Sequence, residues 1–502
     1  MLRLPDLLVL AVYVIGVTWF GCSFYRRAST SQGFTVAEGR LPGWVVGLSI
    51  FGTYLSSITF LALPGKAYSA DWGAFAFSLS LPFAAFVAAR WFTPLYRATQ
   101  DISAYAYLER RFGVWARLYA MTFYLLTQIA RSGTILFLLA LALEGFTGWN
   151  ITAVILLTGA LVVLYTVVGG VEAVIWTDVL QSAILTLGAL VSAAILIFGM
   201  PQGVGQLFDI AQAQGKFALG SFEPNFASAS FWVVLLYGLF INLQNFGIDQ
   251  SYVQRYQAAR SLEAAQRSVW IGALTYIPVS ALFLFIGTAL YAYYAAQPQL
   301  LPEALRAAGS GDRIFPHFII TELPPGLTGL VIAALFAAAM STLSTSMNSS
   351  ATVLLSDVYR RFLRPQAADA AQVRFLRAAT LVMGMLGTAA ALAMISIKSA
   401  LDVWWNLAGI FSGGMTGLFL LGALSRRTGS PQAAIGVGIG ILVILWATLS
   451  KDLALPLANP LHAFMTTVIG TLTIFLVGIA LSRTRTRRAR ATPAETIYDL
   501  SD

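Results

Sequence analysis

The chain has 502 residues, with 31 Lys and Arg against 22 Asp and Glu for a formal net charge of +9, yet only 11% of residues are charged while 58% are hydrophobic and 13% aromatic. A soluble surface needs roughly 25% charged residues and disorder needs low hydrophobicity, so a mean hydropathy of +0.75 leaves an all-α integral membrane protein. The pI near 9.6 does not indicate a nucleic-acid partner, because the basic residues sit in short stretches between apolar runs rather than on one clustered face. Cys22 is the single cysteine, which excludes an intramolecular disulfide or a thiolate cluster, and His317 and His462 stand too far apart for a metal-ligand spacing.

Apolar runs long enough to cross about 30 Å of hydrocarbon fall near 5–24, 41–68, 73–97, 114–147, 150–168, 172–200, 229–254, 267–297, 325–355, 373–396, 401–424, 430–450 and 460–482. They predict about thirteen transmembrane helices. The first run contains Asp6, is long, and is followed by Arg26 and Arg27, so it reads as a retained helix rather than a signal peptide. With the N-terminus outside, 23 basic residues fall on the cytoplasmic side, Arg255, Arg260 and Arg267 among them, and seven fall outside. This predicts a multi-pass protein of the cell inner or plasma membrane with a cytoplasmic C-terminus. Residues 1–482 are expected to form one transmembrane domain, and 483–502 a basic, disordered cytoplasmic tail. The loops 201–228 and 298–324 are too short for a soluble domain and suit caps or gates.

Two runs carry Gly and hydrogen-bonding residues at mid-depth. One spans Gly47 to Thr59, followed by Pro64-Gly65, and the other spans Tyr237 to Asp249. Unwound backbone at that depth is tolerated only where it lines a cavity or is buried in protein. Each opens a set of five helices, about 41–200 and 229–424. Two inverted five-helix repeats with broken first helices form the LeuT-like layout of many secondary transporters, with 5–24, 430–450 and 460–482 as extra helices. The alternative is that these are small-residue packing faces.

Three further features should not stand in lipid. Asp178, in Val174-Ile175-Trp176-Thr177-Asp178, is an intramembrane carboxylate. It is either neutral, bound to a neighbouring helix, or the anionic ligand of a cation. Ser341, Ser344 and Thr345 share one helix face and offer hard oxygen ligands suited to Na⁺, unless each bonds back to its own helix. Arg131 is a permanent charge deep inside the 114–147 run. It pairs either with a substrate carboxylate or with helix-end carbonyls or Asp178.

On these residues the chain resembles the sodium:solute symporter family, and within it the bacterial sialic-acid symporters. The segments that carry the resemblance are Leu48–Thr53, Leu55–Phe60, Val174–Asp178, Asn245–Gln250 and Ala338–Ser344. The resemblance runs from the first helix to about residue 480. It implies a main Na⁺ site at the carbonyls of Gly52, Leu55 and Ala338 with the hydroxyls of Ser341 and Thr342. It implies a second at Asp178, Ser341, Ser344 and Thr345, hence two Na⁺ per substrate. Arg131 matches the arginine that holds the substrate carboxylate, and Ser56 and Thr59 match hydroxyls that contact it. Tyr54 stands where that branch carries a small hydroxyl residue, and Ser78 where glutamine is usual. Phe240 and Asn245 are expected to face the site from the second broken helix.

The expected function is Na⁺-coupled symport of a small organic solute, a sialic acid or another carboxylate-bearing sugar, by a protein that works as a monomer in the bilayer. A neutral-sugar, amino-acid or monocarboxylate symporter, and an ion channel or sensor, are the alternatives. No paired carboxylates or nucleophile–base motif indicates an enzyme.

Overall fold

The computed structural model describes residues 2–99, 101–307, 309–396, 413–450 and 457–483, with only the backbone of Ile58, Phe146 and Arg483. The tail beyond 483, Lys398 and Lys451 lie outside the described residues. So does the first half of the helix expected at 401–424.

Besides short surface and connecting helices at Ser31–Val36, Ala106–Phe112 and Val204–Ala213, the helices in chain order are α1 Leu4–Cys22, α2 Gly43–Tyr54, α3 Ser57–Ser69, α4 Phe75–Thr99, α5 Val114–Thr147, α6 Ile151–Phe198, α7 Phe231–Ile248 and α8 Gln250–Ala258. They continue with α9 Leu262–Ala296, α10 Gly311–Thr321, α11 Leu327–Leu354, α12 Asp369–Met394, α13 Gly413–Leu424, α14 Ser430–Leu449 and α15 Met465–Arg483. Ten helices among the described residues are long and apolar enough to cross a membrane, and α2 with α3 forms a broken span bent by 57°. No β-strand occurs among the described residues. One isolated bridge pairs Leu41, just before α2, with Ala259, just after α8.

The runs expected at 150–168 and 172–200 form α6, 48 residues long. A straight helix of that length would measure about 72 Å, more than twice the hydrocarbon thickness. Gly170 breaks it with φ +60° and ψ −158°, a conformation open only to glycine. A side chain there would also meet the backbone of Phe34 at 3.0 Å. Beyond the break, buried Glu172 receives Arg27 at 2.5 Å and Arg40 at 2.6 Å. A second network lies at the same Arg-rich end, where Arg117 joins Glu109 at 2.7 Å and Asp357 at 2.5 Å.

Both expected breaks are present. α2 ends where Leu55 turns extended (φ −88°, ψ 111°), and Ser56 caps α3 by accepting from the Thr59 amide. α7 ends at Asp249, also extended, whose carboxylate caps α8 through the Ser251 amide at 2.7 Å. α2 packs against α9 through facing glycines: a β-carbon on Gly47 would meet Ile271 at 2.6 Å, and one on Gly272 would meet Ile50 at 2.4 Å. Such small residues let backbones approach without a hydrophobic driving force.

α11 is buried along nearly its whole length and forms the centre of the molecule, against α6, α5, α12 and α1. Asp6 of α1, 2% exposed, accepts from the amides of Gly326 at 2.6 Å and Gly329 at 3.0 Å, at the start of α11. Those amides have no partner within their own helix. The carboxylate that interrupts the first apolar run is therefore a cap for another helix.

Candidate cation and substrate sites

Asp178 lies in the middle of α6 and is fully buried. Its Oδ1 accepts from Ser341 Oγ of α11 at 2.6 Å, and its Oδ2 accepts from Ser49 Oγ of α2 at 2.5 Å. Oxygen atoms from three helices far apart in sequence thus meet at one carboxylate. Thr345 joins them through Thr53 of α2, with the two hydroxyl oxygens 3.4 Å apart.

Arg255, expected from the basic-residue count in a cytoplasmic loop, is instead a buried helix residue. Arg255 is 1% exposed on α8. Its Nη2 donates to Asp178 Oδ2 and to Thr345 Oγ1, both at 2.7 Å, and its Nε donates to Ser49 Oγ at 2.8 Å. A guanidinium therefore stands between the carboxylate and the hydroxyl expected to hold the second ion. The residue begins just past an apolar run, where positive charge ordinarily marks a loop. The signal against that reading was Asp249 and Gln250, a cap and a polar turn that continue the chain as helix.

The hydroxyls of α11 divide. Ser341 points to Asp178, whereas Thr342 donates to the Ala338 carbonyl at 3.1 Å and Ser344 to the Ser341 carbonyl at 3.1 Å. Both hydroxyls donate to their own helix and keep oxygen lone pairs to accept or coordinate. Gly52, Leu55, Ala338 and Ser341 border one tight gap between α2, α6 and α11. The carbonyl of Leu55 belongs to the extended residue after α2, so the gap adjoins backbone that has left the helix.

Arg131 of α5 is half-buried and donates from Nη2 to the Thr53 carbonyl, near the end of α2, at 3.2 Å. Thr53 offers one of the helix-end carbonyls considered from the sequence. Tyr54 donates to Asn242 Oδ1, and Asn242 donates in turn to Ser80 Oγ at 2.9 Å. This chain bridges the two broken helices, and Asn242 was not singled out from the sequence. Ser78 accepts from Ser280 of α9 at 2.9 Å. Ser56 and Thr59 sit at the start of α3. Phe240 packs with Val233, Met465 and Val468 towards α15, and Asn245 is half-buried on α7.

The sequence of residues 34–440 matches the model of the sodium:solute symporter family. The chain belongs to that family. This makes the symporter a transporter and not an enzyme, and a multi-pass membrane protein. It is 34% identical over 475 residues to the sodium/sialic acid symporter NanT of Aliivibrio fischeri, covering 94% of this chain and 91% of that one. To the sodium/sialic acid symporter SiaT of Proteus mirabilis it is 34% identical over 477 residues, covering 94% and 93%. A solved structure of a Na⁺-coupled sialic acid symporter, substrate-bound and outward-open, superposes with a TM-score of 0.89 at 31% identity, covering 96% and 98%. Mhp1, a nucleobase-cation symporter, shares the fold with a TM-score of 0.58 at 17% identity.

Proposed function

We propose that the chain couples Na⁺ entry to uptake of a sialic acid or another sugar acid. The single observation that carries this reading is the meeting of Ser49, Asp178 and Ser341, from three separate membrane helices, on one buried carboxylate. The relatives named sodium/sialic acid symporters support the substrate class. One ion binds at Gly52, Leu55, Ala338, Ser341 and Thr342, where it holds α2 to α11. A second binds at Asp178, Ser341, Ser344 and Thr345.

Sodium at the second site competes with the Arg255 guanidinium for Asp178. The ion's arrival frees Arg255 from Asp178 and loosens α8 from α6. The substrate carboxylate then takes the Arg131 guanidinium from the Thr53 carbonyl. A charge-assisted, bidentate pair is stronger than a bond to a neutral oxygen, so the exchange favours the bound state. Each ion crossing 100 mV contributes about 2.3 kcal/mol, so two support accumulation.

Residues 1–482 act as one domain with core repeats at 41–200 and 229–424. The protein works as a monomer in the inner or plasma membrane, its N-terminus outside and its C-terminus in the cytoplasm. A second reading has its own observation: the Tyr54–Asn242 bridge fills space between the broken helices, which suits a smaller monocarboxylate.

The test is uptake into proteoliposomes of radiolabelled N-acetylneuraminate, with pyruvate and glucose in parallel arms, under inward Na⁺ or choline gradients. Saturable N-acetylneuraminate uptake only with Na⁺ supports the first reading. Na⁺-dependent pyruvate uptake alone supports the second. Uptake that proceeds equally in choline overturns both.

A further inference from the structure

Gln181 stands one turn beyond Asp178 on α6. It is 1% exposed, and neither its amide oxygen nor its amide nitrogen has a hydrogen-bond partner among the described residues. Burying a polar group without a partner is costly, and a native protein rarely leaves both ends of an amide empty. Its neighbour Ser182 is already engaged, donating to the Leu48 carbonyl at 3.3 Å.

Gln181 borders the same gap as Gly52, Leu55, Ala338 and Ser341. A bare Na⁺ is smaller than water, and it prefers hard, neutral or anionic oxygen ligands. The amide oxygen of Gln181 is such a ligand.

The other end of the amide faces α1. Tyr13, 7% exposed, has a buried hydroxyl within reach of the Gln181 amide and with no other partner among the described residues. Tyr165 also approaches Gln181, but its hydroxyl is engaged with the Met340 carbonyl at 3.3 Å. Two groups without other partners among the described residues thus stand side by side, beside the gap that Gly52, Leu55, Ala338 and Ser341 border. A cation on the amide oxygen turns the amide so that its nitrogen donates to Tyr13, which satisfies both groups together.

We propose that Gln181 is an additional Na⁺ ligand at the principal cation site, and that Tyr13 is a positioning residue that orients it. This rests on reading Gly52, Leu55, Ala338, Ser341 and Thr342 as that site. It also gives α1, a helix outside the two proposed repeats, a share in ion affinity.

The experiment uses the full chain in detergent and follows the melting temperature as NaCl replaces choline chloride at constant ionic strength. Gln181→Leu keeps the volume and removes the orphan amide. In choline its melting temperature is expected to equal or exceed that of the unaltered protein, while its half-saturating Na⁺ concentration rises at least about tenfold. Tyr13→Phe is expected to raise the half-saturating concentration by about two- to fivefold, and Gln181→Glu to keep or strengthen the response. A merely structural glutamine would shift the melting temperature and leave the Na⁺ titration in place.

Ser341→Ala and Thr342→Ala separate the two ideas. If they abolish the Na⁺ response while Gln181→Leu retains it, the glutamine proposal is overturned and the cation site stands. If they leave the response unchanged, or the unaltered protein has none, the site and the proposal fall together. Should the leucine variant not fold, Gln181→Met must lose the response where Gln181→Glu keeps it, and equal responses overturn the proposal.

Discussion

Arg255→Met removes the guanidinium from Asp178 while leaving an apolar chain to fill much of its volume. Arg255 supplies one of the three hydrogen bonds to the carboxylate and its only charge compensation within 4.0 Å among the described residues. Removing one partner of a buried pair costs about 3–5 kcal/mol, because the other charge stays buried. Sodium at about 100 times its dissociation constant returns about 2.7 kcal/mol if it binds only the folded state. In choline the variant is therefore expected to melt well below the unaltered protein, and in Na⁺ to recover most of the difference. The unaltered protein should gain less from Na⁺, since the ion must first displace the guanidinium. Melting curves of the purified chain across a Na⁺ titration read this directly. An Arg255→Met variant with the same Na⁺ response as the unaltered protein would refute competition for Asp178. Asp178→Asn combined with Arg255→Met removes both charges, and should restore the melting temperature while abolishing the second-site response.

Arg131→Ala removes a charged donor worth about 1.5–3 kcal/mol, so acid substrates should bind about 10- to 150-fold more weakly by calorimetry; unchanged affinity would remove the carboxylate role. Tyr54→Thr opens the space between the broken helices and restores a small hydroxyl, so N-acetylneuraminate affinity should rise at least about tenfold, and a fall would show that the phenol belongs to the pocket. Asp6→Ala removes the cap on α11 and should lower the melting temperature by the equivalent of about 0.5–2 kcal/mol without moving the half-saturating Na⁺ concentration.

The sequence made some of this site legible and hid the rest for physical reasons. Asp178 and Arg131 stood out because a charge in an apolar run has few bland explanations. Gly47–Thr59 and Tyr237–Asp249 announced their breaks by crowding glycine and polar residues at mid-depth, and both runs do break. Arg255 was misplaced because charge beside an apolar run usually marks a loop, and only the continuation of the chain as α8 buries it. Ser341 and Ser344 are alike in sequence, yet one faces Asp178 and the other its own backbone. That choice depends on which helix passes opposite, which periodicity does not encode. Gln181 drew no notice because a glutamine beside an aspartate reads as a helix neighbour, and its missing partners exist only as a three-dimensional fact.

Asp6 pegs one end of α1 to α11. At the other end Gly21 lies so close to Tyr165 of α6 that a β-carbon there would stand 2.9 Å from its ring. A strap fastened at both ends travels with what it binds. α1 is thereby tied to α11 at one end and to α6 at the other. The extended residues Leu55 and Asp249, where the helix ladder is open, lie outside that tie.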